Sequence, residues 1–167
     1  MTLWLVGMMG TGKTSAGRLA SERLSVEFVD VDDAVAIEAG LAIPELWDRL
    51  GEAEFRRIET AVIKQVAGTE AVVSTGGGAV LGAANRRRMR DTGRVVWLRA
   101  APAVIEHRLE DSGDRPLLTG DPDRTARITR LLEERSRAYE DAADYEIDTS
   151  PMSVEEVAMR IEQLWTL

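Results

Sequence analysis

The chain has 167 residues, 44% of them hydrophobic, and a formal net charge of −8. This length and composition predict one globular domain with a sizeable core. The absence of cysteine excludes disulfides and thiolate metal sites, and no apolar run approaches the ~18 residues of a membrane span. Acidic charge argues against binding to nucleic acid or to an anionic membrane. Because the pattern of a signal peptide is also missing, we expect a cytoplasmic protein, and a monomer.

The first predicted strand leads into a glycine-rich loop. Residues 3–6 are apolar and predict a buried strand, and small and apolar residues recur at helical spacing after Thr14. Between them, residues 7–14 fit the phosphate-binding pattern G-x-x-x-x-G-K-[ST]. Backbone N–H groups of such a loop hold an anion, Lys13 can reach the terminal phosphates, and Thr14 can ligate Mg²⁺. The flanking strand and helix disfavour a glycine turn without a ligand. The predicted nucleotide contacts here are Gly10, Thr11, Gly12, Lys13, Thr14 and Ser15.

Carboxylates follow the second predicted strand, residues 26–30. Asp30 ends this strand and Asp32 comes two residues later. Open α/β sheets bind ligands at the carboxyl ends of their strands, which is where both side chains fall. A carboxylate beside the γ-phosphate can orient an attacking hydroxyl or accept its proton.

Helical patterns fill residues 33–66. A short helix is predicted to stop at Gly40, a second begins near Ile43, and Gly51 breaks it. An amphipathic helix then runs to residue 66. Arg56 lies beside its apolar stripe, and Glu59, three residues later, can orient the Arg56 guanidinium.

Three glycines follow the third predicted strand, residues 71–74. Gly76, Gly77 and Gly78 expose backbone N–H groups and remove all side-chain bulk. A flexible turn is the alternative, but the position at a strand's carboxyl end favours close approach of the backbone to a ligand.

The rest of the chain alternates helix and strand. Helices are predicted around residues 83–90 and 103–109, with a strand at 95–98 between them. Residues 111–123 are polar and punctuated by glycine and proline, which predicts a mobile cover carrying Arg115. A charged helix from 124 to 143 carries Arg135, and a strand at 145–148 and a closing helix at 154–165 follow. Alternating strands and helices predict an α/β fold of three layers, with a five-stranded parallel sheet covered by helices on both faces.

Several of these patterns, in this order, resemble the shikimate kinase family of P-loop kinases. The resemblance covers nearly the whole chain. Each motif alone is weak evidence for this family, whereas all of them in this order are specific to it. They are residues 7–14 with 17–20, 30–32, 51–59, 74–78, 115–118, and Arg135 with Tyr139.

The resemblance implies one kinase domain over residues 1–167, which transfers the γ-phosphoryl group of ATP to the 3-hydroxyl of shikimate with Mg²⁺. The acceptor site would include helices in about 33–66, and the lid would be about 111–123. Implied roles are Asp32 as base or hydroxyl anchor and Asp30 as Mg²⁺ support through water. The residues implied to bind shikimate are Arg56, Arg135 and Gly76 to Gly78. For the nucleotide, the resemblance implies that Arg115 lies over the phosphates and that Arg108 lies near the adenine.

Some positions depart from the family pattern. The family's Ile-Glu pair is shifted to Ile37-Glu38, its proline before the helical tyrosine is Ala138, and Met152 stands where some members have an arginine near the adenine. Two alternatives stay open: a kinase of another small hydroxy acid such as gluconate, and a silent regulatory relative. His107 is expected on a helix surface.

Overall fold

The computed structural model describes residues 1–109 and 123–167. Within these ranges five strands form one parallel sheet in the order β2-β3-β1-β4-β5. The strands are β1 (Thr2–Val6), β2 (Glu27–Asp30), β3 (Ala71–Ser74), β4 (Gly93–Arg99) and β5 (Tyr145–Asp148).

Seven α-helices connect or follow these strands in the described ranges. They are α1 (Lys13–Leu24), α2 (Val31–Ala39), α3 (Ile43–Val66), α4 (Ala83–Thr92), α5 (Pro102–Leu109), α6 (Arg124–Ala142) and α7 (Val154–Trp165), with a short 3-10 turn at Ala79–Leu81. No helix in the part of the chain that the structure describes is both long and apolar enough to cross a membrane.

Side chains of β1 alternate between the two faces of the sheet. Leu3 and Leu5 lie in a fully buried cluster with residues of α1 and α7, whereas Trp4 and Val6 lie in another with residues of α3, α4 and α6. This period of two is what a strand dictates when both of its faces are covered. The predicted three-layer α/β fold with a five-stranded parallel sheet is therefore confirmed.

Element boundaries differ from the sequence prediction by a few residues. Helix α2 starts directly after β2, because the Asp30 side chain accepts a hydrogen bond from the Asp32 N–H (3.0 Å) and caps the helix. Asp32 therefore sits on the first helical turn rather than in a loop. The 3-10 turn after the three glycines was not predicted. The predicted cover, except for residue 123, and Arg115 within it lie outside the described residues.

The strand order explains where ligands can bind. The chain runs from β1 outward to β2, returns to β3, and then crosses to β4 on the other side of β1. At such a change of direction the connections leave the sheet on opposite sides and open a crevice at the carboxyl ends of the strands. The loops after β1, β2 and β3 all face this crevice.

Candidate active site

The loop between β1 and α1 is curled around a buried lysine. Lys13 Nζ donates to the carbonyls of Gly7 and Met8, each at 2.8 Å, and its side chain is 7% exposed. Gly10 and Gly12 adopt φ angles of 77° and 93°, in the left-handed region that favours glycine. The loop thus combines one cation with the N-terminus of α1, and both favour a bound anion.

Oxygen atoms from two strand ends and from the first turn of α1 meet beside this loop. The Thr14 hydroxyl donates to Asp30 Oδ2 at 2.8 Å and lies 3.4 Å from the Ser74 hydroxyl oxygen. Mg²⁺ prefers oxygen ligands and keeps several waters and substrate phosphates, so a hydroxyl and one carboxylate fit it without an all-protein cage. The described residues contain no cluster of three or more His, Cys, Asp or Glu side chains that could hold a metal.

An ion pair on α3 lies on the other side of the crevice. Arg56 donates through one guanidinium nitrogen to Glu59 Oε2 at 2.8 Å. Glu59 is fully buried, and burial raises its pKa to about 7, although the neighbouring Arg56 favours the charged form and acts against that rise. The buried Glu59 carboxyl therefore orients the guanidinium of Arg56, which lines the cavity.

The glycines after β3 allow close packing that a side chain would prevent. A Cβ atom on Gly78 would lie 2.2 Å from an Arg56 guanidinium nitrogen, and one on Gly76 would lie 2.7 Å from Asp32 Oδ1. The sequence pattern predicts close approach of the backbone to a ligand here. The structure brings the glycines against Arg56 and Asp32, two of the predicted acceptor-binding residues.

Arg135 on α6 is a buried cation. Its side chain is 6% exposed, and its guanidinium lies 4.0 Å from Met8 Sδ and close to Gly77. The next turn of α6 places the Tyr139 hydroxyl 2.5 Å from the Gly77 carbonyl, to which it donates. Burying a guanidinium is unfavourable unless an anion faces it, and Arg135 lines the cavity, where it can pair with one.

Arg108 lies at the opposite end of the crevice. It donates to the hydroxyl (3.1 Å) and to the carbonyl (2.8 Å) of Thr149, and lies 3.4 Å from the Gly10 carbonyl. Met152 lines the same end, and His107 is exposed on α5, as predicted. Arg108 is exposed overall, but its guanidinium is anchored to Thr149 at this end of the cavity.

One cavity of about 780 Å³ joins these groups. All predicted site residues within the described ranges line it; Arg115 lies outside those ranges. Trp47, Ser74 and Thr149 are among the lining residues to which the sequence patterns assign no role in the site. Ser74 and Thr149 end or follow strands, so the strand-end argument applied to Asp30 could have found them. Trp47 carries no such signal, because an aromatic residue on a helix is ordinarily core.

Comparisons with known proteins agree with this arrangement. The shikimate kinase family profile matches residues 9–165. The chain is 42% identical to a shikimate kinase from Thermodesulfovibrio yellowstonii, over 94% of this chain and 90% of that protein. It is also 42% identical to one from Symbiobacterium thermophilum, over 96% and 94%. A shikimate kinase structure from Acinetobacter baumannii, in complex with shikimate, superposes with a TM-score of 0.93 at 34% identity, covering 99% and 92% of the two chains. The chain belongs to the shikimate kinase family.

Proposed function

We propose that this chain is an ATP-dependent kinase that phosphorylates the 3-hydroxyl of shikimate. The observation that carries the proposal is one continuous cavity in which a phosphate-binding loop adjoins two arginines suited to a carboxylate. Arg56 and Arg135 present planar donors that match both oxygens of a carboxylate. Shikimate supplies a carboxylate and ring hydroxyls, and ATP supplies the phosphoryl group.

The phosphate end of the cavity binds and polarises ATP. The N–H groups of residues 10–15 and the Lys13 ammonium hold the β- and γ-phosphates. Thr14 and, through water, Asp30 hold Mg²⁺, which neutralises charge on the phosphates when bound. Lys13 donates to the loop carbonyls in the structure, and we propose that phosphate oxygens take over this cation when nucleotide binds.

The acceptor end positions the hydroxyl for transfer. Asp32 orients the 3-hydroxyl and takes its proton as the hydroxyl oxygen bonds to the γ-phosphorus. The bond from that phosphorus to the β–γ bridging oxygen breaks, and ADP leaves with the electron pair. Backbone groups of Gly76, Gly77 and Gly78 fix the ring beside Asp32, while Arg56 and Arg135 hold its carboxylate.

Further features complete the proposal. Residues 1–167 form one kinase domain, residues 33–66 build the acceptor end, and residues 111–123 close as a lid that brings Arg115 to the transferred phosphoryl group. We propose that Arg108 lies against the adenine. The enzyme acts as a cytoplasmic monomer that binds neither nucleic acid nor membranes.

A coupled ADP-release assay with shikimate, gluconate and quinate tests the reaction. We expect rapid ADP release with shikimate and little with the other two. Lys13→Met should nearly abolish release while the circular dichroism spectrum is retained. ADP release with gluconate equal to that with shikimate would contradict the acceptor assignment, and near wild-type turnover in Lys13→Met would contradict the phosphate site.

Arg135→Ala tests the carboxylate site in the same assay. Loss of one charged hydrogen-bond partner should raise the shikimate KM by one to two powers of ten, roughly 1.5–3 kcal/mol, with little change in the ATP KM. Arg137→Ala is the matched control, because Arg137 lies on the same helix, is exposed and does not line the cavity. Equal shikimate KM values for the two variants would remove Arg135 from the site.

A further inference from the structure

Thr149 follows β5 directly and is almost completely buried, at 1% exposure. Its hydroxyl lies 3.1 Å from the carbonyl of Thr11 in the phosphate-binding loop and 3.1 Å from the carbonyl of Arg99 at the end of β4. The same hydroxyl oxygen accepts a hydrogen bond from Arg108 of α5 at 3.1 Å. One side chain therefore touches three separate segments of the chain.

The main chain of Thr149 reinforces these contacts. Its N–H donates to the Arg99 carbonyl at 2.9 Å, and its carbonyl accepts from Arg108 at 2.8 Å and from the Met152 N–H at 3.2 Å. Arg108 thus grips both the hydroxyl and the carbonyl of one residue, which fixes the plane of its guanidinium. The turn at 149–152 is held by the same Thr149 carbonyl, through the hydrogen bond from the Met152 N–H.

The position of Thr149 in the sheet separates it from the acceptor end. The acceptor residues follow β2 and β3 or lie on α3 and α6, whereas Thr149 follows β5, two strands away from β1 on the other side. Strands in a sheet are about 4.8 Å apart, so Thr149 lies about 10 Å from the β1 axis along the sheet. The cavity wall around it includes Arg108, Met152 and Val154, a planar cation and apolar groups that suit a flat heterocycle.

We propose that Thr149 is a positioning residue for the nucleotide, a role that rests on the proposed use of ATP in this cavity. Its hydroxyl locks Arg108 and the 149–152 turn against the phosphate-binding loop. The surface that receives the base is thereby held at a fixed distance from the groups that receive the phosphates. A nucleotide then binds both parts without first ordering them, which favours affinity.

Two substitutions at this position distinguish the contribution of the hydroxyl to nucleotide binding from that of the side-chain shape. Thr149→Val keeps the shape and removes the hydroxyl, so Arg108 and the Thr11 carbonyl each lose a buried partner. We expect the ATP KM and the dissociation constant of a fluorescent ATP analogue to rise roughly ten-fold, with the shikimate KM at saturating ATP within about two-fold of wild type. Thr149→Ser restores the hydroxyl and should stay within about two-fold of wild type in all of these constants.

Thr2→Val controls for the loss of a buried hydroxyl elsewhere. Thr2 is fully buried in β1, its hydroxyl donates to the Thr69 carbonyl at 2.8 Å, and it does not line the cavity. This variant should lower the melting temperature without changing the ATP KM. If Thr149→Val fails to fold, Thr149→Ala, which also lacks the hydroxyl but adds no methyl group in its place, serves the same comparison.

A double-mutant cycle with Arg108→Ala tests how Thr149 acts. Because Thr149 is proposed to act largely through Arg108, the two effects on the fluorescent analogue's affinity should be strongly non-additive. Additive effects, or unchanged nucleotide affinity in both hydroxyl-free variants, would overturn the role of Thr149. Failure of the wild-type protein to bind the analogue or to release ADP would instead overturn the proposed function.

Discussion

Glu59 is fully buried on α3, and its Oε1 has no hydrogen-bond partner among the described residues. The other oxygen accepts from Arg56 at 2.8 Å. Removal from water is the largest influence on this carboxyl, and it raises the pKa from 4.5 to about 7. Arg56 and Arg135 favour the charged form, whereas Asp32 disfavours it. Near neutral pH, a fraction of the protein carries this acid protonated.

We predict that Glu59 makes the stability of the ligand-free protein depend on pH. Its pKa is higher in the folded protein than the 4.5 of the free side chain, so the folded state holds the proton more tightly. The resulting stabilisation is fully present below pH 4.5 and is lost as the pH rises through about 7. Wild type should therefore lose stability relative to Glu59→Gln between pH 5 and 8, measured by urea unfolding.

Glu54→Gln is the matched control for this measurement. Glu54 lies on the same helix and also pairs with an arginine three residues along, but its hydrogen bond to Arg57 lowers its pKa. The stabilisation from Glu54 is present above its unfolded pKa and disappears only as the pH falls, so Glu54→Gln should add no slope between pH 5 and 8. A stability difference between wild type and Glu59→Gln that is constant over this interval would contradict the prediction.

Some site residues could be predicted from the sequence more easily than others. Arg135 alone reads as a surface charge on a helix, and only its place in an ordered set of motifs marked it. Its burial depends on the packing of α6 over the β1 loop, which no local pattern encodes. Thr149 was missed although it follows a strand, because its importance lies in contacts to residues 41 to 138 positions away in the chain.

At the scale of elements, the break in α3 shapes the end of the cavity that we propose for the acceptor. Gly51 has φ 79° and ψ 172°, a backbone conformation that is essentially restricted to glycine, and it divides the helix in two. In a straight helix, Trp47 and Phe55 would be separated by about 12 Å along the axis. Their ring centroids are 5.5 Å apart instead, and Arg56 stands over the Phe55 ring at 5.0 Å. The break folds the first half of α3 back over the cavity.

We predict that Gly51→Asn destabilises the protein by about 1–3 kcal/mol and raises the shikimate KM more than the ATP KM. A Cβ at this position meets no atom within 4 Å, so the effect arises from the backbone alone. Gly40→Asn is the control, because Gly40 is equally open but adopts φ 65° and ψ 21°, which asparagine tolerates. Chemical unfolding and steady-state kinetics on both variants provide the measurement. Equal destabilisation by both would show that the break does not require glycine.

Elements with strong periodicity were predicted well. The apolar runs located all five strands of the described sheet, and Gly51 located the break in α3. The start of α2 was less visible, because Asp30 serves both as the end of β2 and as the cap of the next helix. The 3-10 turn at Ala79–Leu81 has no distinctive pattern and depends on a hydrogen bond from the Ala79 N–H to the Gly76 carbonyl.

At the scale of the whole molecule, an acidic protein gathers four cationic side chains in one crevice, where they balance its acidic ones. The net charge is −8, yet the cavity is lined by as many basic as acidic side chains: Lys13, Arg56, Arg108 and Arg135 beside Asp30, Asp32, Asp33 and Glu59. The overall charge disfavours polyanions that contact a wide surface, while the crevice can still attract small anions. Composition predicts which classes of partner to exclude, and the fold explains how four cations that are far apart in sequence line the same cavity.

The alternation of strands and helices was sufficient to predict the three-layer fold. It did not give the strand order, which depends on where each crossover lands and which places β3 between β1 and β2. That order matters for the site, because it sets the carboxylates after β2 and the glycines after β3 on one side of the phosphate-binding loop. The cover at 111–123 and the role of Arg115 stay predictions.

We propose that this crevice aligns a hydroxyl with the γ-phosphate of ATP through Asp32. The most direct test is the turnover number of Asp32→Asn at saturating ATP and shikimate, compared with its affinity for ATP. Loss of the carboxylate should lower turnover by about 10²–10⁴-fold while ATP affinity is retained. Asp48→Asn, an exposed position outside the cavity lining, should match wild type. Turnover of Asp32→Asn within a factor of two of wild type would contradict the account.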